Sequence, residues 1–161
     1  MSPDIALIPA PAISADWIAP DIRITKYEID QALRASEDPN TQVAAFIISP
    51  LEGHIMSRAA NAFSHWAINS RGRDRAPNKY QWLLHAEARA IANAAKRGIR
   101  TEAARIYVTH APCLNCANLI IAAGLDTVYV PSDSKNSEKW LESCASAVQA
   151  FSEAGVEYVV L

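Results

Sequence analysis

The chain has 161 residues, half of them apolar and a fifth charged, with a formal net charge of −2. That size suits one domain with its own core, and the charge balance argues against nucleic acid as a partner. No apolar run approaches the roughly 18–20 residues that a membrane span needs.

Residues 1–20 are rich in Pro and Ala and read as an extended arm lying on the domain or on a neighbour; residues 21–161 form the domain. Pro20 and Asp21 suit a helix start, and a helix is predicted over 21–36. Residues 36–40 form a loop. The run Val43-Ala44-Ala45-Phe46-Ile47-Ile48 is nearly all apolar, as a central strand is. After a turn over 49–53, residues 54–60 pair back as the second arm of a hairpin. Residues 62–80 read as a polar loop carrying Arg71, Arg73, Arg75 and Lys79. A loop of that length inside a domain is functional or mobile.

A helix rich in Ala is predicted over 82–97, ended by Gly98. A strand over 104–109 follows, then a helix over 113–123 ended by Gly124, then a strand over 127–130. The loop 132–136 offers Asn136 or Ser137 as a helix cap. The next helix, 137–154, carries an apolar stripe of Leu141, Cys144, Val148 and Phe151. Residues 156–161 close the chain as a strand. Strands alternating with helices after an initial hairpin place the fold in the α/β class, with helices on both faces of a mixed sheet.

Two motifs carry chemistry. His85-Ala86-Glu87 opens one helix, and Pro112-Cys113-Leu114-Asn115-Cys116 opens the next. Cys113 and Cys116 are three apart, so both sulfurs share one helix face. His85, Cys113 and Cys116 supply three soft ligands, which leave a tetrahedral zinc one open position for water. Glu87 is a carboxylate beside that position and suits a proton shuttle. Three cysteines, an odd number, and no basic leader before residue 20 point to a reducing, cytoplasmic setting.

Other readings stand beside this one. Cys113 and Cys116 could be a redox pair, which leaves His85 and Glu87 without a role. A closed structural zinc needs a fourth ligand, and Cys144, His54, His65 and His110 offer the residue types. His110 lines the pocket or caps a strand end, and His65 and Trp66 contact substrate or pack the loop. The cations Arg71, Arg73, Arg75 and Lys79 bind phosphate or face solvent. From a different class, the chain could be a non-catalytic zinc-binding module that serves oligomerisation; there a buried carboxylate beside the metal has no use.

The pattern H-x-E…P-C-x-x-C is a known signature of zinc-dependent deaminases. From about residue 24 to 161 the chain resembles the cytidine and deoxycytidylate deaminase superfamily, most closely its deoxycytidylate (dCMP) branch. Four stretches carry the resemblance: Asp38-Pro39-Asn40-Thr41-Gln42-Val43, Asn78-Lys79-Tyr80 with His85-Ala86-Glu87, Tyr107 to Gly124, and Ala154-Gly155-Val156-Glu157-Tyr158. It implies a three-layer α/β/α fold around a five-stranded mixed sheet, one Zn2+ per subunit and a homo-oligomer. It implies His85, Cys113 and Cys116 as ligands and Glu87 as shuttle. Asn61 is implied as a sugar or substrate contact, the backbone of Ala86 as the contact to the base carbonyl, and Tyr129 as an aromatic near the pocket. His110 joins them as a candidate substrate contact.

Two positions depart from the branch. Asn61 is followed by Ala62-Phe63-Ser64-His65-Trp66 where the branch has Gly and a Pro- and Gly-containing loop, and Arg89 stands where it has Asn. The implied reaction is hydrolytic deamination of an amino-substituted pyrimidine nucleotide, dCMP to dUMP with loss of ammonia. A nucleoside, a free base such as cytosine or guanine, or another amino-heterocycle is the alternative.

Overall fold

The computed structural model describes residues 16–69, 72–73, 79–134 and 138–161. Most of the arm over 1–20, Arg71, Arg75 and both candidate caps, Asn136 and Ser137, lie outside the described residues.

The first departure from the sequence expectation lies at 21–36. Trp17–Ala19 (β1) and Ile22–Thr25 (β2) pair as an antiparallel hairpin, and only then does helix α1, Lys26–Leu33, begin. The physical reason is local. Ile22 and Ile24 alternate into the core at 0% exposure, which is strand periodicity. Thr25 is extended and caps the helix, its Oγ1 accepting the Glu28 N–H while the Glu28 carboxylate accepts the Thr25 N–H. Thr-x-x-Glu is the capping-box spacing and marks where the helix starts.

Ala44–Ile48 (β3) and Ile55–Ala60 (β4) form the expected hairpin. The segment read as one loop holds Ala62–Phe63 (β5), a helical turn Trp66–Asn69 (α2), a second turn Lys79–Trp82 (α3) and Leu83–Leu84 (β6). β5 and β6 pair antiparallel. Helix α4 runs Ala86–Lys96, later than expected because His85 is still extended, at φ −67° and ψ 154°. Arg105–Val108 (β7), Leu114–Ala122 (α5), Thr127–Val130 (β8), Glu138–Ala154 (α6) and Glu157–Val160 (β9) complete the order.

The central sheet has five strands in the order β4-β3-β7-β8-β9. β3 is antiparallel to both neighbours, while β7, β8 and β9 run parallel, so the sheet is mixed. One face, carrying Ala45, Ile47, Ile106, Val108 and Val128, packs against Ala90 and Ala94 of α4, Ile120 of α5 and Phe151 of α6. The other, carrying Ala44, Phe46, Ile48, Tyr107 and Tyr129, is covered by β2 and α1. Burial on both faces explains why β3 is apolar at every position. The fold is therefore the expected three-layer α/β arrangement. On α6 the buried stripe is Cys144, Ala147 and Phe151; Leu141 and Val148, expected in it, are 54% and 42% exposed.

Two glycines fix close approaches. Gly124 has φ +73°, and a Cβ there would stand 2.5 Å from the Glu102 carboxylate. Gly53 has φ +68°, and a Cβ there would collide with the Asp21 carbonyl oxygen. Its own carbonyl accepts the Arg23 N–H, tying β2 to the β3–β4 turn.

The outer strand β4 is tied to α4 by a three-rung ladder. Arg89, Asn93 and Arg97 donate to the carbonyls of Ala60, Arg58 and Met56, at 2.7, 3.2 and 3.3 Å. Four helical residues rise about 6 Å, close to two residues of strand, so each rung meets the next outward carbonyl.

Candidate active site

His85 links β6 to α4, and Cys113 stands at the N-cap of α5 with Cys116 in its first turn. Both helices therefore begin at the same point in space. The positive ends of their dipoles favour negative charge there, which suits thiolates. The Nδ1 of His85 lies 3.4 Å from the Cys116 Sγ and 3.6 Å from the Cys113 Sγ. The three ligand atoms all fall within 4.8 Å of one another, the one such cluster found among the described residues. Two sulfurs and one imidazole nitrogen at that separation fit a zinc ion, and no fourth His, Cys, Asp or Glu among the described residues joins them. Cys144, His54, His65 and His110, the types offered for a closed structural site, stay outside the cluster.

Without a metal, the cluster holds its protons unevenly. The hydrogen bond from Cys116 lowers the Cys113 thiol to about 4 against the opposing pull of burial, with His85 adding to the effect. Cys116 is pushed up by its bond to Cys113, by burial and by the charge of Glu87. His85 is raised by its bond to Cys113, although burial opposes it. Glu87, on the first turn of α4, is 4% exposed, and burial raises its carboxyl above the usual range against its own backbone N–H and His85.

The cluster opens onto a cavity of about 700 Å³, within the range of small-molecule sites. His85, Ala86, Glu87 and Cys113 line it, with Asn61 and His110 on its walls. Of the expected contacts, those three besides the cluster, Asn61, Ala86 and His110, are brought together here. Asn61 holds the wall in place. Its Oδ1 accepts from the Val43 N–H at 2.9 Å and the Ser36 hydroxyl at 2.7 Å, and its Nδ2 donates to the Thr41 carbonyl at 2.8 Å. One amide N–H is left for the cavity. Burial lowers the His110 imidazole, although the charge of Asp133 opposes it.

Tyr129 is not brought to the cavity. It lies in the core on the opposite face of the sheet, where its hydroxyl meets Arg105 at 3.2 Å and Asp21 at 3.4 Å. Strand alternation turns its side chain away, since the neighbours Val128 and Val130 take the site face. Among the residues of the 62–80 loop, Trp66 is 74% exposed and stacks beside His65 rather than lining the cavity. Arg73 lies over the Trp82 ring at 3.6 Å. Arg89 points to the Ala60 carbonyl at 2.7 Å.

Among the lining residues to which the sequence reading gave no role are Asp38, Tyr80, Lys139 and Trp140. Lys79, read as a loop cation, is 4% exposed and bonds both Asp38 oxygens at 3.0 and 2.9 Å. The Trp140 ring meets His85 edge-on, centroids 5.7 Å apart at 81°. Cys144 is buried and lines the cavity, its thiol 3.5 Å from the Ala111 carbonyl.

The family profile described as "Cytidine and deoxycytidylate deaminase zinc-binding region" matches residues 20–132. An Aliivibrio fischeri protein described as an uncharacterized deaminase in the luxG 3′ region is 40% identical over 123 residues, 76% of this chain and 80% of its own. The deoxycytidylate deaminase of Homo sapiens is 30% identical over 129 residues, 76% of this chain and 69% of its own. Among solved structures, the dCMP deaminase of cyanophage S-TIM5 in complex with dCMP and dUMP superposes with a TM-score of 0.65 at 20% identity, covering 84% of this chain and 92% of that one; that likeness bears on the fold. The profile match and the two relatives identify the chain as a member of the cytidine and deoxycytidylate deaminase family, a hydrolytic deaminase with a zinc site.

Proposed function

We propose that this deaminase converts dCMP to dUMP and releases ammonia. The observation that carries the reading is a buried carboxylate, Glu87, beside a three-ligand cluster that opens onto one cavity. His85, Cys113 and Cys116 hold zinc, which supplies Lewis acidity and makes water nucleophilic near neutral pH. The residues of the chain do the rest. Glu87 takes a proton from the attacking water and passes it to ring N3 as oxygen bonds to C4. It then moves the second water proton to the amino nitrogen, and the C4–N bond breaks to release ammonia. One carboxylate serves both transfers because each restores its earlier protonation state. The Ala86 backbone meets the base carbonyl, the remaining Asn61 N–H meets the sugar, and His110 stands as a neutral wall.

The reading includes a homo-oligomer in a reducing, cytoplasmic compartment. Exposed Leu141 and Val148 on α6 and Leu119 on α5 support an assembly surface, and ligand thiols require reducing conditions. No described helix is long and apolar enough to cross a membrane.

The test is ammonia release from dCMP, CMP, deoxycytidine, cytosine and guanine by the zinc-loaded protein. Turnover of dCMP above the others is the expected result. Turnover of guanine or cytosine alone would replace the substrate and leave the site chemistry standing.

A further inference from the structure

Among the described residues, two ammonium groups line the cavity, and they differ in what they face. Lys79 is buried against Asp38, with both carboxylate oxygens within hydrogen-bond distance. Its charge is cancelled where it stands. Lys139, the second residue of α6, forms none of the ion pairs found among the described residues. Its Nζ stands 3.5 Å from the centroid of the Tyr80 ring and 5.3 Å from that of Trp140.

An aromatic face attracts an ammonium but does not neutralise it. The two rings thus fix the position of Lys139 and leave its positive charge, and N–H groups not aimed at a ring, for a ligand. Trp140 touches both His85 and Lys139, so a single ring separates the ligand cluster from the cation. A heterocycle held at the cluster can extend its substituent past Trp140 to Lys139. Arg73, the described arginine of the 62–80 loop, does not offer the same: it is stacked on Trp82 and does not line the cavity.

We infer that Lys139, cradled by Tyr80 and Trp140, binds the anionic group of the substrate, a phosphate monoester, and so sets the preference for nucleotide over nucleoside. The inference rests on the deaminase reading above and names the residue through which that site selects its substrate class.

Two measurements on the full-length, zinc-loaded protein test it, comparing wild type with Lys139→Gln and Lys139→Arg. In the first, the ratio of kcat/KM for dCMP to that for deoxycytidine falls about ten- to hundredfold in Lys139→Gln, the size expected for one charge-assisted hydrogen bond, and Lys139→Arg retains most of it. In the second, calorimetric titration, the preference for dUMP over deoxyuridine falls by a similar factor. An unchanged preference in both measurements overturns the inference, as does a wild type that binds dUMP no better than deoxyuridine. If the wild type deaminates no cytosine compound yet prefers dUMP through Lys139, the phosphate contact stands and the dCMP reading fails. Unaltered melting temperatures of both variants exclude misfolding as the cause.

Discussion

At the scale of single residues, the site divides into what chemistry demands and what packing supplies. Glu87→Gln keeps the shape and removes the carboxylate proposed to carry the proton. Turnover is expected to fall about 100- to 10,000-fold, with zinc content by elemental analysis unchanged; retained turnover would exclude Glu87 as shuttle. Asp38 is different in kind. Burial alone would raise its carboxyl, but the backbone N–H groups of Asn40 and Thr41 and the ammonium of Lys79 outweigh burial and hold it below the ordinary carboxylate value. A depressed folded-state value means that the stability from this group is present above about pH 4 and is lost as pH falls below it. Asp38→Asn leaves the buried Lys79 unpaired and is expected to cost about 3–5 kcal/mol near neutrality. In chemical denaturation the gap from wild type should narrow below pH 4. That His85, Cys113 and Cys116 gather at one point, with Glu87 on the wall of the same cavity, was legible because their spacing is itself the signal. Asp38 and Lys79 were not, since partners 41 residues apart leave no local pattern. Trp140 sits on a helix surface where any residue type is compatible with the periodicity.

At the scale of elements, the sequence reading succeeded where one signal ruled and failed where two competed. β3, α5 and β8 were read within a residue or two, because apolar runs and glycine stops agree there. Over 21–36, a helix-start signal at Pro20-Asp21 masked the alternation of Ile22 and Ile24 and the box at Thr25 and Glu28. That box gives a direct check. Thr25→Ala removes the acceptor for the Glu28 N–H and is expected to cost about 1 kcal/mol, read as a lower melting temperature; no change would mean that β2 alone fixes the start of α1. The stripe on α6 was drawn one turn too long at Leu141 and one residue off at Val148, on a helix whose buried residues are Cys144, Ala147 and Phe151. Tyr129 was misplaced for the complementary reason: family position was carried over, while strand parity decides which face a side chain takes.

At the scale of the whole molecule, the metal centre joins α4 to α5, two helices that share one hydrophobic core. Zinc bound there favours the folded state by mass action. Stripping it with a chelator is expected to lower the melting temperature and abolish turnover, with both restored on readdition; an unchanged melting temperature would mean that the helices hold their places unaided. The ladder from α4 has a further effect at this scale. A sheet can grow from copy to copy without limit only if both of its outer strands are open to a neighbour. Here Arg89, Asn93 and Arg97 occupy the outward carbonyls of β4, and the opposite margin, β9, is the one left for strand pairing. Copies pairing through β9 would make a self-complementary contact that is used up by two. The three rungs thus work against open-ended growth through β4.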